Sequence, residues 1–112
     1  MDYHQPWSEI VAKQQKRLEP IPPGEILLDD FLKPLGISQQ KLARDIDVPV
    51  SRVGEIVRGK RGITADTALR LAKYLGTSPD VWLGLQMDYD LSRARRDTWP
   101  AIEDRIRPRT AA

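Results

Sequence analysis

Two short segments of apolar periodicity, separated by Asp47-Val48-Pro49, constrain the fold of this chain more than any other feature. They lie in ISQQKLARDIDVPVSRVGEIVRGKRGIT, residues 37–64. Apolar residues recur at three- and four-residue intervals on both sides of the break, which predicts two short amphipathic helices. Pro49 cannot continue the first helix, but it suits the first turn of the second. The chain is therefore expected to turn sharply between two helices.

The length of 112 residues suits one domain with a tail at either end. The chain has no cysteine, so disulfides and thiolate metal sites are excluded and the fold must depend on apolar packing. No run of about 18 apolar residues is present, and the N-terminus lacks a basic flank leading into an apolar core. These observations predict a cytoplasmic protein without a membrane partner.

Prolines and capping residues divide the chain into five helices. The proline-rich EPIPPG separates an N-terminal arm or short helix, residues 1–20, from a main domain at residues 21–91. Helix one is GEILLDDFLKPLG, stopped by Pro34 and Gly36, and helix three runs to about Arg58. The predicted N-caps of helices two, four and five are Ser38, Thr64 and Ser78, with Pro79 at the first position of helix five and Gly76 closing helix four.

The apolar faces of these helices predict one core. The expected inward residues are Ile26, Leu27, Leu28, Phe31 and Leu32 of helix one; Leu42, Ala43 and Ile46 of helix two; Val53, Ile56 and Val57 of helix three; and Ala65, Ala68, Leu69, Ala72 and Leu75 of helix four. No segment predicts a strand. Residues 92–112 are charged and contain two prolines, so a fraying end of helix five and a mobile tail are expected. The fold class is all-α, a compact five-helix bundle with N- and C-terminal extensions.

The residues from Gln39 to Arg58 follow the spacing of a helix-turn-helix. Ala43, the fifth position, supplies the small side chain needed where two helices cross closely. The turn position usually filled by glycine holds Asp47, and aspartate tolerates a positive φ better than most residues. The spacing therefore favours a DNA-reading helix pair.

The outward face of helix three carries the candidate base-reading residues. With Val53, Ile56 and Val57 inward, this face contains Ser51, Gly54, Glu55 and Arg58, and Arg52 lies beside it. A mid-helix glycine on an exposed face suggests close approach of DNA. Arg52 or Arg58 is suited either to guanine or to phosphate, and Glu55 either accepts from a cytosine amine or orients Arg52.

Candidate phosphate contacts flank this helix. Gln39, in the first turn of helix two, is placed to bring its amide to a phosphate near a helix N-terminus. Lys60 and Arg61 lie in the loop after helix three, where they would clamp the DNA backbone. Residues 38–64 contain six Lys or Arg against three Asp or Glu, a local charge of +3 in a chain of net charge +2.

The chain resembles the HigA/VapI-type antitoxins of the Xre, or phage repressor-like, helix-turn-helix superfamily. The segments that carry the resemblance are PGEIL, RGKRGITADTALRLA and GTSPDVWLGLQ, within about Pro22 to Leu91. Arg58 stands where asparagine is common, and Pro22 where histidine is often found. The resemblance implies a lambda-repressor-like fold and a bacterial, nucleoid-associated homodimer. It also implies binding of palindromic double-stranded operator DNA, repression of its own operon and neutralisation of a RelE-like mRNA endonuclease toxin, HigB.

Two further surfaces are candidate protein interfaces. On helix five, Trp82, Leu85 and Tyr89 form a stripe with Met87 nearby; such a stripe belongs either to the core or to a dimer interface. In the arm, an apolar stripe alternates with cations, and we expect it either to grip the toxin or to pack on its own core. The residues of that stripe are Trp7, Ile10, Val11 and Leu18.

The main alternatives are a free-standing Xre-family repressor without a toxin and an enzyme. His4 is the only histidine, there is no cysteine, and no glycine-rich phosphate loop occurs. Asp29-Asp30 and Asp88/Asp90 offer carboxylates, but adjacent helical residues point in different directions and no third ligand is placed. The sequence therefore predicts no enzyme activity, no metal and no cofactor.

Overall fold

Six helices and no strand are present in residues 20–110, the part of the chain described by this computed structural model. Helix α1 consists of a turn at Pro23–Ile26, a π-helical segment at Leu27–Leu32 and a last turn at Lys33–Leu35. It is followed by α2 (Gln39–Asp45), α3 (Val50–Val57), α4 (Ala65–Leu75), α5 (Pro79–Asp97), α6 (Trp99–Ile102) and a 3-10 turn at Glu103–Arg105. The all-α, five-helix bundle is confirmed, with α6 added to it.

The helix starts after Ser38, Thr64 and Ser78 are confirmed by side-chain caps. Each hydroxyl oxygen accepts a hydrogen bond from a backbone N–H of the first turn, at 3.0, 3.4 and 3.1 Å respectively. The glycine stop of α4 is also confirmed, because Gly76 has a φ of 75°.

Pro49 lies one position earlier than expected. Its ψ of 143° is extended, so it is the N-cap of α3, and Val50 is the first helical residue. The prediction that Pro49 belongs to the first turn was wrong by one residue. Its carbonyl accepts from the Arg52 N–H at 3.0 Å, so the proline still initiates the helix.

The π-helical segment of α1 precedes a proline that the sequence indicated as a stop. Pro34 lies within the last turn and does not stop the helix, whereas the predicted stop at Gly36, whose φ is 68°, is confirmed. Pro34 has no N–H to donate, and its ring presses on the carbonyl four residues earlier. The N–H of Lys33 donates to the carbonyl of Leu28, five residues back, so the wider turn accommodates the proline without ending the helix.

Phe31 and Trp82 form the centre of the core. Both are 0% exposed, and their ring centroids lie 5.1 Å apart at an interplanar angle of 52°. The indole Nε1 of Trp82 donates to Thr77 Oγ1 at 2.9 Å, so this buried N–H has a partner. The aromatic pair joins α1 to α5 and anchors the bundle.

The predicted face of α4 was partly wrong. Leu69 is 60% exposed and Ala65 is exposed, whereas Thr67 and Leu71 are buried with Ala68, Ala72 and Leu75. Leu71 lies three residues after Ala68 and four before Leu75, so it shares their side of the helix, and Leu69 lies about 100° away from Ala68. Val57 of α3 is half-buried.

The C-terminal end of the bundle is more helical than the sequence indicated. Helix α5 continues to Asp97, and Thr98 links it to α6, so helical structure extends beyond residue 91. The expected fraying and mobility of residues 92–112 stay predictions. Arg96 pairs with Asp97 at 2.7 Å. Helix-forming arginines and alanine in residues 92–97 favour this extension without an apolar face.

Candidate nucleic-acid interface

Helices α2 and α3 form the predicted helix-turn-helix. Asp47 has a φ of 60°, so the left-handed turn expected at the usual glycine position is confirmed. Ala43 is 3% exposed, as expected for the small residue between two closely packed helices. The other inward side chains, Leu42, Ile46, Val53 and Ile56, are also buried.

The outward side of α3 presents a polar and cationic surface. Ser51 and Arg58 are exposed, and Arg52 and Glu55 are half-buried. Within residues 20–110, Arg58 forms no ion pair. The structure therefore brings together four of the predicted site residues on α3 and directly after its last turn, where Arg58 is the C-cap. Their contacts with DNA stay predictions.

Gly54 differs from its predicted position on the exposed face, because it is buried. A Cβ built on Gly54 would lie 3.0 Å from Nη1 and 3.7 Å from Cζ of Arg58. The guanidinium of Arg58 therefore lies over residue 54. The glycine makes room for this side chain, which the helical wheel alone did not reveal.

Glu55 pairs with Arg61 and not with Arg52. Its Oε1 lies 2.9 Å from both Nε and Nη2 of Arg61, so of the two alternatives for Glu55 the orientation of Arg52 is wrong, and the contact with a cytosine amine stays a prediction. The left-handed turn at Gly59, with a φ of 74°, leads the chain into the loop that carries Arg61. Arg52 lies instead 3.5 Å from Asp66 Oδ2, at the start of α4.

The basic loop after α3 is held at its far end by α5. The side-chain oxygen of Gln86 accepts from the Ile63 N–H at 2.8 Å. Lys60 is exposed and forms no ion pair with any residue in the described range 20–110. Lys60 and Arg61 thus project from an anchored loop beside α3.

Gln39 is the first residue of α2 and is half-buried. Its contact with phosphate stays a prediction.

Two residues near the turn escaped sequence reasoning. Val50 is the first residue of α3 and is 49% exposed, although it is apolar. Arg70 of α4 donates from Nη1 to the carbonyls of Ile46 and Asp47, at 2.7 and 3.0 Å. The exposure of Val50 could have been suspected, because an apolar residue directly after Pro49 stands at the start of the predicted recognition helix. The contacts of Arg70 could not have been predicted from local sequence, because the carbonyls it binds are 23 and 24 residues away.

A second polar cluster joins α2 to α4. Asp45 Oδ2 accepts from Lys41 Nζ at 2.7 Å and from the Tyr74 hydroxyl at 2.8 Å. These hydrogen bonds, that from Lys41 foremost, hold the pKa of Asp45 below its usual value. Burial, and then the bond with Asp45, raises the pKa of Tyr74, while the bond with Asp45 raises the pKa of Lys41.

The predicted dimer residues on α5 divide between the core and the surface. Trp82 and Leu85 are 0% and 2% exposed, so they cannot form an interface and that prediction was wrong. Met87 is 56% exposed and Tyr89 is half-buried. Leu83, Met87 and Leu91 are all exposed at four-residue spacing, and they form an apolar strip on the outer side of α5.

Metal sites and membrane-spanning helices are two further possibilities for residues 20–110. No group of three or more His, Cys, Asp or Glu side chains is placed to hold a metal ion in residues 20–110. Helices long and apolar enough to cross a membrane are likewise absent from these residues. The arm residues predicted to bind toxin, Trp7, Ile10, Val11 and Leu18, lie outside the described residues, as do His4 and the rest of residues 1–19 and 111–112.

Comparison with known proteins agrees with the geometry of the helix pair. A helix-turn-helix family model matches residues 28–82. Virulence-associated protein I of Dichelobacter nodosus is 53% identical over 77 residues, which cover 69% of this chain and 71% of that protein. Antitoxin HigA-1 of Vibrio cholerae is 35% identical over 78 residues, 70% of this chain and 73% of that protein.

A solved structure of a relative includes DNA. The Pseudomonas aeruginosa antitoxin HigA with the higBA promoter superposes with a TM-score of 0.78 at 44% identity, covering 82% of this chain and 100% of that chain. The identities, coverage and shared helix-turn-helix agree with one another. The chain therefore belongs to the HigA/VapI family of Xre-type helix-turn-helix antitoxins and DNA-binding regulators, which are not enzymes.

Proposed function

We propose that this protein is an antitoxin that binds the operator of its own operon as a homodimer and neutralises a RelE-like mRNA endonuclease toxin, HigB. Such a protein acts in the bacterial cytoplasm, where it is associated with the nucleoid through DNA. The observation that carries the proposal is the outward side of α3 next to an anchored basic loop. A relative of 44% identity bound to promoter DNA supports it.

Each part of this surface has a proposed task. Ser51, Arg52 and Arg58 contact base edges or adjacent phosphates in the major groove. Val50, with its half-exposed apolar side chain, is suited to the methyl group of thymine. Gln39, Lys60 and Arg61 position the DNA backbone, which gives affinity without sequence preference.

DNA footprinting on the region upstream of the gene tests operator binding. A symmetric dimer should protect two half-sites whose centres lie roughly 10 bp, or a multiple of it, apart. A single asymmetric half-site bound by monomer would contradict the proposal. Exchanging the central bases of one half-site supplies the matched control, because it should weaken binding without changing backbone charge.

The proposed dimer uses the strip Leu83, Met87 and Leu91. The spacing of four residues places all three side chains on one side of α5, and each is more than one third exposed. Apolar side chains in a row are suited to pack against the same strip of a second copy related by two-fold symmetry. This arrangement leaves Trp82 and Leu85 in the core.

The toxin is proposed to bind the arm at residues 1–18. In the sequence of this arm, the apolar residues Trp7, Ile10, Val11 and Leu18 are interspersed with Lys13, Lys16 and Arg17. Deletion of residues 1–18 should weaken binding of the co-transcribed toxin and spare operator binding. Unchanged toxin affinity would exclude the arm, and the lack of any neighbouring toxin gene would favour the free-standing repressor.

A further inference from the structure

Arg70 connects three elements at the turn of the helix-turn-helix. Its Nη1 lies 2.7 Å from the carbonyl oxygen of Ile46 and 3.0 Å from that of Asp47. Its Nε lies 3.0 Å from Asp66 Oδ2, one turn earlier on α4. One guanidinium therefore binds both the turn and its own helix.

The two carbonyls bound by Arg70 lie at the C-terminal end of α2. The last carbonyls of a helix have no partner within the helix, and the helix dipole makes this end favourable for a cation. The charge of Arg70 meets both requirements. The planar guanidinium presents donors on separate nitrogens in fixed directions, so Arg70 holds the two carbonyls through Nη1 and the carboxylate through Nε. The three donors of a lysine all lie on one nitrogen, so a lysine cannot reproduce this fork.

The turn that Arg70 holds is conformationally costly. Asp47 has a φ of 60°, and a residue other than glycine adopts this left-handed conformation only at an energetic cost. In the same turn, the Val48 N–H donates to the Ala43 carbonyl at 3.0 Å. The clamp from α4 therefore stabilises a conformation that the local sequence does not strongly favour.

The same carboxylate also faces the DNA-reading helix. Asp66 Oδ2, which accepts from Arg70, lies 3.5 Å from Nη1 of Arg52 on α3. Arg70, Asp66 and Arg52 thus form a chain from the turn to one of the proposed DNA contacts.

We propose that Arg70 is a positioning residue for DNA recognition: it fixes the angle between α2 and α3 by clamping the turn at Ile46 and Asp47, and it acts on Arg52 through Asp66. This inference rests on the proposed operator binding. Arg70 need not touch DNA for this role.

The decisive variant is Arg70→Gln, with Lys73→Gln as its matched control. Lys73 is an exposed cation on the same helix, so both variants lose one positive charge. At a temperature at which circular dichroism shows both variants folded, Arg70→Gln should weaken operator binding about ten- to a hundredfold, the effect of losing charge-assisted hydrogen bonds. Its affinity for random-sequence DNA should fall no more than that of Lys73→Gln. Equal affinity of the two variants for the operator would overturn the inference.

A second variant separates clamping from general destabilisation. In Asp47→Gly, the left-handed turn carries no steric cost, so it depends less on the clamp. The factor by which Arg70→Gln lowers operator affinity should therefore be several times smaller in the Asp47→Gly background than in the wild type. Full additivity of the two changes would contradict the role of Arg70 in holding the turn.

Hydrogen exchange provides a readout that needs no DNA. The Val48 amide should exchange faster in Arg70→Gln than in Lys73→Gln, and Arg70→Lys should show an intermediate rate. If Arg70→Gln does not fold, Arg70→Lys is compared with Lys73→Gln in its place. Unchanged Val48 exchange in the Arg70 variants would refute the clamp even if the wild type bound no operator. Failure of the wild type to bind, with Val48 exchange accelerated as expected, would refute the proposed function and the role of Arg70 in recognition, while the clamp on the turn would stand.

Discussion

Two helical glycines of this protein, Gly24 and Gly54, differ in what surrounds the position that a side chain would occupy. A Cβ built on Gly24 would lie 1.7 Å from the carbonyl oxygen of Ile56, so backbone fills the space on that side. At Gly54 the nearest atom is the flexible end of Arg58, 3.0 Å away. Gly24 thus lets the start of α1 approach the end of α3 closely, which gives a physical reason for the glycine in PGEIL.

This difference predicts opposite effects for the same substitution. Gly24→Ala should lower the free energy of unfolding by about 1–3 kcal/mol or more, since backbone atoms would have to move. Gly54→Ala should leave stability unchanged or raise it by up to about 1 kcal/mol through helix propensity, since only the Arg58 guanidinium must shift. Urea denaturation of both variants measures this difference. An equal loss of stability at the two positions would contradict the packing argument.

The cations of the basic loop differ in their availability to DNA. Lys60 forms no ion pair within residues 20–110, whereas Arg61 is paired with Glu55 at 2.9 Å. If both meet phosphate, Arg61 must first leave Glu55, while Lys60 has no such competitor in that range. The pair is exposed, so its own contribution to stability is small.

We therefore predict that Lys60→Ala and Glu55→Gln change DNA affinity in opposite directions. Lys60→Ala should weaken binding to the operator and to random DNA alike and lower the salt slope by about one per lost phosphate contact. Glu55→Gln should strengthen binding, because it releases Arg61 and removes a negative charge from the surface. Fluorescence anisotropy titrations at several salt concentrations provide the measurement. Weaker operator binding by Glu55→Gln would instead assign Glu55 a direct contact with a base.

At the scale of elements, the Lys41–Asp45–Tyr74 cluster makes the contact between α2 and α4 dependent on pH. The pKa of Asp45 is lowered in the folded protein, first by Lys41 and then by Tyr74. Because the pKa of Asp45 is lower in the folded than in the unfolded protein, its ionised carboxylate stabilises the fold fully at pH values above the unfolded pKa of about 3.9. This stabilisation is lost as the pH falls through the folded-state pKa. The cluster therefore contributes fully at neutral pH and not in strong acid.

Substitution of Asp45 by asparagine tests this dependence. Asp45→Asn should lower Tm relative to the wild type between about pH 5 and 7, and the difference should shrink below about pH 4 as the wild-type carboxylate is protonated. Asp104→Asn, at an exposed position in the 3-10 turn, is the control. A wild-type minus Asp45→Asn difference that stays constant down to about pH 2 would exclude the ion pair and hydrogen bond as its cause.

The elements also show which features can be predicted from sequence. Helix starts at Ser38, Thr64 and Ser78 were predictable, because a cap bonds two or three residues ahead and depends on local sequence alone. The left-handed conformation of Asp47 was predictable for the same reason.

Contacts between distant residues were not predictable from local patterns. Arg70 reaches carbonyls 23 and 24 residues away, and Tyr74 bonds an acid 29 residues away. The burial of Gly54 depends on the conformation that Arg58 adopts, and the exposure of Leu69 depends on which side of α4 meets α5. These features follow from tertiary packing, which overrides helical periodicity where two faces are both partly apolar.

At the scale of the whole molecule, the bundle separates its proposed surfaces. The core residues Phe31 and Trp82 hold α1 and α5 together, and Gln86 of α5 supports the basic loop through Ile63. Helix α5 thus contributes inward side chains to the core, one side chain that supports the basic loop from behind, and an outer apolar strip. A change in that strip should act on DNA binding through assembly and not through the fold.

The final prediction concerns Met87, the central and most exposed member of the strip Leu83, Met87 and Leu91. Met87→Glu should leave the monomer folded, because the side chain is 56% exposed. In a two-fold interface the substitution would bring two carboxylates close together, and the cost of desolvating them adds to their repulsion. The variant should therefore be monomeric by light scattering at micromolar concentrations. Its affinity for the full palindrome should fall more than about tenfold, since only one half-site can then be bound tightly.

Leu69→Glu is the matched control for this experiment, because Leu69 is 60% exposed on α4 and lies outside the strip. It introduces the same charge and should leave both oligomeric state and operator affinity within about twofold of the wild type, as expected for a surface substitution. If Met87→Glu remained dimeric, the strip would not be the interface. If it became monomeric and still bound the palindrome as tightly as Leu69→Glu, operator recognition would not require the dimer, because each α3 would then hold its half-site without help from a second copy.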